Sequence, residues 1–338
     1  MGSRGSRPSD SAWGQTARFG LWRAIAATPA MLGSLLLVSV AVGALGRWVE
    51  PMLLGWAACG AVMITRVGER ITVRAACRFR CPSPAQAAAL QRPWATALRM
   101  TGTAAGDVEL YVQTVQVPNA YAAGGRSVAV TSRVVKDYRA GRLSEDQLVA
   151  VLVHELGHHA TRATRPMLLT LWLAMPWRLA ARLLTGIGLA LSGRQTRRGL
   201  ILVIAAGVAV AVTRALHQGQ VLVGGVLAAV AISAVVCPLA DAAVSRRAEF
   251  AADRFAADRG LALGLAAALS ALDDTRRVGS EWPPRLLASH PTTSRRIRAL
   301  LAAEAASPER PPESADVTST AFQASGTTDG TLGSAELA

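Results

Sequence analysis

The sequence predicts a mainly α-helical, multi-span integral membrane protein that carries a small β-sheet in a soluble module. Three observations predict it. The 338 residues are 51% hydrophobic, 5% aromatic and 17% charged, with a mean hydropathy of +0.30, too apolar for a disordered or wholly soluble chain. Uncharged runs long enough to enter a bilayer recur along the chain. Between them, apolar residues follow helical or alternating periods, and polar residues stand where helix caps belong.

Taken in order, residues 1–20 are rich in Gly, Ser and Arg without an apolar period, and are expected to form a disordered tail. From Ala24 to Gly46 no charge interrupts 23 residues, enough to cross about 30 Å of hydrocarbon at about 1.5 Å per residue. A polar break at Arg47, Trp48 and Glu50 precedes the 15 uncharged residues Pro51 to Thr65, a second, shorter span if flanking side chains snorkel. Residues 21–68 thus read as a transmembrane hairpin. Residues 84–165 read as soluble: a helix near Pro84 to Met100, alternation in Val108, Leu110 and Val112, and a β-prone run at Ser127 to Thr131. Ser144 and Gln147 form a capping-box pattern ahead of Leu148, Val151 and Leu152, so a helix is expected to start there and run past His159.

Residues 166–240 are expected to be membrane-embedded or interfacial. Met167 to Gly193 contains Arg178 and Arg182 around Pro176 and Trp177. These charges favour an interfacial or cavity-lining helix, with a crossing as the alternative. Gly199 to Thr213 and Ala215 to Ala240 read as a hairpin turning at Arg214, His217 and Gln218. Residues 241–303 return to a soluble helical pattern. Residues 304–338 hold six acidic residues against one arginine among Ser, Thr, Pro and Gly, a disordered tail.

Basic residues exceed acidic ones by 36 − 22 = 14, the pI is about 11.2, and every basic residue except Lys136 is arginine. The arginines flank apolar runs, as juxtamembrane charge does. No basic stripe interleaved with aromatics is present, so the expected partner is the lipid bilayer and not nucleic acid; nothing in the residues specifies an oligomer. Of the cysteines, Cys59 and Cys237 lie in apolar runs and Cys77 and Cys81 in a basic stretch. They are expected as reduced thiols in a cytosol-facing protein.

The chemistry concentrates in His154-Glu155-Leu156-Gly157-His158. Two histidines four residues apart share a helical face and can grip one zinc ion, while Glu155 projects from the adjacent face, where it can take a proton from water. With five His and eleven Glu in the chain, random order yields about 0.002 such matches. The bland alternative is a surface helix that happens to carry these residues. A catalytic zinc also needs a third protein ligand. The candidate is Glu249, with Asp253 four residues on and placed to accept a proton from a ligand histidine. The alternative for Asp253 is a solvated carboxylate near Arg254. Gly157 suits the close approach of another element. His159 points about 100° from His158 and is not expected to be a ligand.

Over roughly residues 84–300 the sequence resembles the HtpX-type membrane zinc metalloproteases, relatives of the CAAX prenyl proteases. The HExxH helix and the later Glu249 and Asp253 carry this resemblance. So do Pro118-Asn119-Ala120-Tyr121-Ala122 with Gly124-Gly125, the run Val128-Ala129-Val130-Thr131-Ser132, and His290-Pro291-Thr292 leading to Arg295 and Arg296. The resemblance implies a zincin-like metalloprotease domain with one Zn2+ held by His154, His158 and Glu249, Glu155 as general base, and Asp253 supporting a ligand. It further implies that Asn119 and the strand around Val128 and Val130 hold a peptide substrate as an added β-strand. His290, Arg295 or Arg296 would steady the oxyanion or serve structure. Arg133, where relatives often carry a turn glycine, departs from the pattern.

The activity so implied is zinc-dependent hydrolysis of peptide bonds in membrane or misfolded proteins, in membrane protein quality control. A signalling peptidase with one dedicated substrate, a catalytically silent zinc-binding scaffold and a prenyl-protein protease are the alternatives. The ligands must share one side of the bilayer, so an even number of crossings is expected between Ala160 and Asp241. The arginine clusters place that side in the cytoplasm, giving a multi-pass cell-membrane protein whose site faces the cytosol.

Overall fold

The structure is a computed structural model and describes residues 10–43, 46–164, 167–190, 196–274 and 291–306. Helix α1, Asp10–Gly43, is followed by a 3-10 turn, Gly46–Trp48, and by α2, Val49–Val62, and α3, Arg66–Ala75. The expected tail therefore holds helix from Asp10 onward, and residues 1–9 lie outside the described residues. Once the span has nucleated, each added residue gains a hydrogen bond, and no proline stands between Asp10 and Thr28 to stop propagation. The helix of the second apolar run ends at Val62, and the chain bends by 94° into α3. Thr65 causes the break, capping α3 by accepting from Gly68 N at 3.1 Å.

The sheet-bearing module is built from β1, Phe79–Arg80; α4, Pro84–Thr101; β2, Glu109–Gln113; β3, Ala120–Ala123; β4, Ser127–Thr131; α5, Ser132–Arg139; and α6, Glu145–Ala160. Both long helices start at capping boxes, Ser83 with Gln86 and Ser144 with Gln147. In the second, Gln147 N donates to Ser144 Oγ at 3.2 Å and Ser144 N to Gln147 Oε1 at 2.9 Å. The strand order is β1-β2-β4-β3, with β2 and β4 parallel and the other pairs antiparallel.

Period-2 alternation lets this sheet bury both faces. Val112, Val128 and Val130 pack with Leu148, Leu152 and Leu156 of α6, whereas Tyr111 and Ala129 pack with Val73, Phe79 and Leu168. Glu69, buried on α3, ties down the β3–β4 turn, accepting from Gly125 N at 3.0 Å, Arg126 N at 2.8 Å and Ser127 Oγ at 2.7 Å. The bent α3 is thereby joined to the sheet.

The later helices are α7, Met167–Ala190; α8, Thr196–His217; α9, Val221–Ala257; α10, Ala262–Asp274; and α11, Thr293–Ala306. The hairpin of α8 and α9 turns at Gln218 to Gln220, where Gly219 takes φ +74°. Unlike the expected division at residue 241, α9 runs unbroken through Asp241 to Ala257, on the order of 55 Å. Its apolar half and its carboxylates Glu249 and Asp253 thus belong to one rod. Among the described residues two helices are long and apolar enough to cross a membrane, Gly20–Gly43 and Val221–Ala257, or three if the bent pair of α2 and α3 forms one span.

Two hydrogen bonds and an ion pair set the level of the apolar helices relative to the sheet-bearing module. Arg23 Nη1 donates to Ala163 O at 2.9 Å, its Nη2 to Ser245 Oγ at 2.9 Å, and its Nε lies 3.8 Å from Asp241 Oδ1. The turn of α1 around Arg23 therefore sits beside the half of α9 that carries Glu249. Farther along, Trp177 N donates to Ser34 Oγ at 3.0 Å, so α7 packs along α1 and does not lie across its end.

Candidate metal centre

Helix α6 brings His154, Glu155 and His158 to the junction with α9, and Gly157 allows the contact. A Cβ at Gly157 would lie 3.3 Å from Ala252 Cα and 3.1 Å from the Phe255 ring, so α9 passes close over this turn as the glycine anticipated. The two imidazoles meet edge to face with centroids 4.9 Å apart. His154 Nε2 and His158 Nε2 each stand 3.6 Å from a Glu249 oxygen. One ligand atom from each of the three residues falls within a sphere of 4.8 Å separations, a spacing that one divalent ion at about 2.0–2.2 Å from each donor closes. Two imidazoles and one carboxylate also match in kind the donor set of a catalytic zinc that keeps an open position.

Asp253 orients the first histidine. His154 Nδ1 donates to Asp253 Oδ1 at 3.0 Å, leaving Nε2 toward Glu249. Arg296 of α11 locks both carboxylates: its Nε and Nη2 donate to Asp253 at 2.9 and 2.6 Å, and its Nη1 lies 3.2 Å from Glu249 Oε2. Burial disfavours charge on His154, and so does Arg296, yet the hydrogen bonds to Asp253 and Glu249 outweigh them and lift its pKa to about 9. His158 is pushed the other way, to about 3, by burial and by the neighbouring charged ring. Asp253→Asn is expected to weaken metal affinity by about 10–100-fold, measured by competition with a chromophoric chelator.

Other candidates separate. Arg295 is exposed and lies over the Phe250 ring at 5.7 Å, so the site arginine is Arg296 and not Arg295. The pairing of buried Arg296 with buried Leu300 four residues on was the signal available in the sequence. His290 lies outside the described residues, as does the C-terminal chain beyond Ala306. His159 turns away, with Nε2 3.2 Å from Ser127 O and Nδ1 3.1 Å from Thr164 Oγ1. Arg133 bonds Asp137 at 2.8 Å on α5. All four cysteines are free thiols.

Val128 and Val130 are corrected as substrate-binding residues. They are fully buried, and β4 is paired on both sides, with β2 and β3, so no strand can add to it. The edge strand beside β4 is β3. Thr131 N donates to Asn119 O at 3.0 Å, and the alternation of an antiparallel ladder then directs the backbone groups of Ala120 and Ala122 away from β4. Asn119, Ala120 and Ala122 line the same cavity of about 390 Å³ as His154, Glu155, His158 and Glu249.

No curated protein matches the chain. The profile of Peptidase family M48 matches residues 84–304, from the start of α4 to the last turns of α11. That match takes in both helices of the ligand cluster, strands β2, β3 and β4, and Arg296. The resemblance read from the motifs holds at the level of the family: the chain belongs to Peptidase family M48, a family of metallopeptidases.

Proposed function

We propose that the protein is a membrane-embedded zinc endopeptidase that cuts membrane or misfolded proteins at the cytoplasmic face, in membrane protein quality control. One observation carries the reading: the three metal donors, Glu155 and the edge strand β3 all line one cavity. A peptide laid along β3 as an added strand would bond to Ala120 and Ala122 and pass its scissile carbonyl in front of Glu155.

His154, His158 and Glu249 would hold the ion, which when bound supplies Lewis-acid polarisation and a more acidic water. Glu155 takes the proton of the attacking water and returns it to the leaving amine. Asp253 keeps His154 in the tautomer that presents Nε2, and Arg296 keeps Asp253 and Glu249 in place. The membrane reading is supported by the two apolar helices, and the cytoplasmic one by Arg23, a positive charge near the start of the apolar stretch of α1 that is held at the level of the metal centre. The arginines of α3 are joined to the module through Glu69 and stand on that side too.

The test is metal content beside hydrolysis. Purified full-length protein is expected to carry one zinc, to lose cleavage of a denatured membrane-protein substrate on chelation, and to regain it with zinc. Glu249→Ala is expected to lose the metal and the activity together. Hydrolysis that survives complete metal removal would refute the reading.

A further inference from the structure

The cavity does not end at the metal centre. It continues between α1, α7 and α9, where Arg23, Leu171, Arg178 and Asp241 line it. On α7 the lining residues Met167, Leu171 and Arg178, with buried Ala174 between them, recur at helical spacing on one face. Arg178 therefore faces the cavity, and a helical side chain leans toward the helix N-terminus, here toward the metal centre. Its place is fixed by its neighbour: Trp177 bonds Ser34, and Gly33 lies so close to the indole that a Cβ there would come within 2.6 Å of it. Ser34 is near the middle of the apolar helix Gly20–Gly43.

Arg23 and Arg178, the arginines of this extension, differ in partners. Arg23 is held by Ala163 O, Ser245 and Asp241. Arg178 makes no hydrogen bond or ion pair among the described residues. A guanidinium at membrane depth is costly unless it faces a cavity or meets an anion. Arg178 has the cavity, and because the space is continuous a peptide bound at the metal centre can extend to it.

We propose that Arg178 is a specificity subsite that takes a carboxylate of the peptide substrate, an acidic side chain or a free C-terminus. The proposal rests on the peptidase reading of the site. From Arg23 to Ser34 along α1, and from Ser245 to Glu249 along α9, the separation from the metal is roughly 15–20 Å after the side chain leans back, or about four to six extended residues. Guanidinium and carboxylate pair through two parallel N–H···O bonds, which a neutral amide does not reproduce.

The experiment uses the full-length, zinc-loaded Glu155→Gln protein in phosphatidylcholine nanodiscs, which binds without cutting. The probes are dye-labelled peptides of alanine and leucine with a single Glu or Gln about four to six residues to either side of the centre, each with a free or an amidated C-terminus; binding is read by anisotropy. A carboxylate in one register is expected to tighten binding about tenfold over its neutral partner. Preference among amidated peptides identifies the side chain, and preference for the free terminus over the amide identifies the terminus. Adding Arg178→Gln should bring the ratio to about one, and adding Arg178→Glu should turn it toward a lysine-bearing peptide, with zinc content checking that each variant is folded. Equal binding of every peptide, or a preference that persists without Arg178, overturns the subsite. A wild-type protein that hydrolyses nothing would count against the peptidase reading and leave this binding measurement standing.

Discussion

Glu155→Gln is expected to keep its zinc and to lose peptide hydrolysis by about 10²–10⁴-fold in kcat, the usual weight of a general acid and base. The amide has nearly the same shape and remains in the buried position of Glu155 on α6, so the ligands on the turns around it need not move. It cannot accept the proton of the attacking water at an ordinary pH. Metal analysis and single-turnover cleavage of the same preparation check both halves of the expectation. Loss of metal along with activity would make Glu155 a structural residue, and unchanged cleavage would remove it from the chemistry.

Arg296→Ala carries the largest expected effect on stability. Its guanidinium bridges Asp253 and Glu249 in a pocket where all three residues are buried. Removing it leaves two carboxylates out of water without their cation, a loss on the order of 3–5 kcal/mol. The size should depend on metal. A divalent ion on Glu249 replaces part of the missing positive charge, so the variant should lose more stability in chelator than in zinc relative to the parent. Thermal unfolding of both proteins under both conditions measures this. Equal losses would mean that Arg296 and the ion do not share Glu249.

The parts of the molecule legible in the sequence are those set by short-range rules. The capping boxes at Ser83 and Ser144 use contacts three residues long, and the pair His154 and His158 and the pair Glu249 and Asp253 use the four-residue repeat. The meeting of α6 with α9 was legible through Gly157, whose missing side chain makes room for Ala252. The edge of the sheet was not. An all-apolar run such as Val128 to Val130 has the same composition whether it is a central strand or an edge, and only its pairing with both β2 and β3 decides. Between Arg295 and Arg296 no single-residue property distinguishes the exposed side chain from the buried one; the phase of α11 does. The unbroken course of α9 was hidden because composition changes at Asp241 while the backbone hydrogen bonding does not.

The central claim, that two helices far apart in sequence hold one ion through two imidazoles and a carboxylate, is tested most directly by X-ray absorption at the zinc edge. Wild-type protein should show the multiple scattering of two imidazoles with a light-atom shell at about 2.0–2.2 Å and no sulfur near 2.3 Å. In Glu249→Asp the shell should rearrange or empty. A sulfur shell, or a spectrum that is the same with and without the Glu249 carboxylate, would contradict the account.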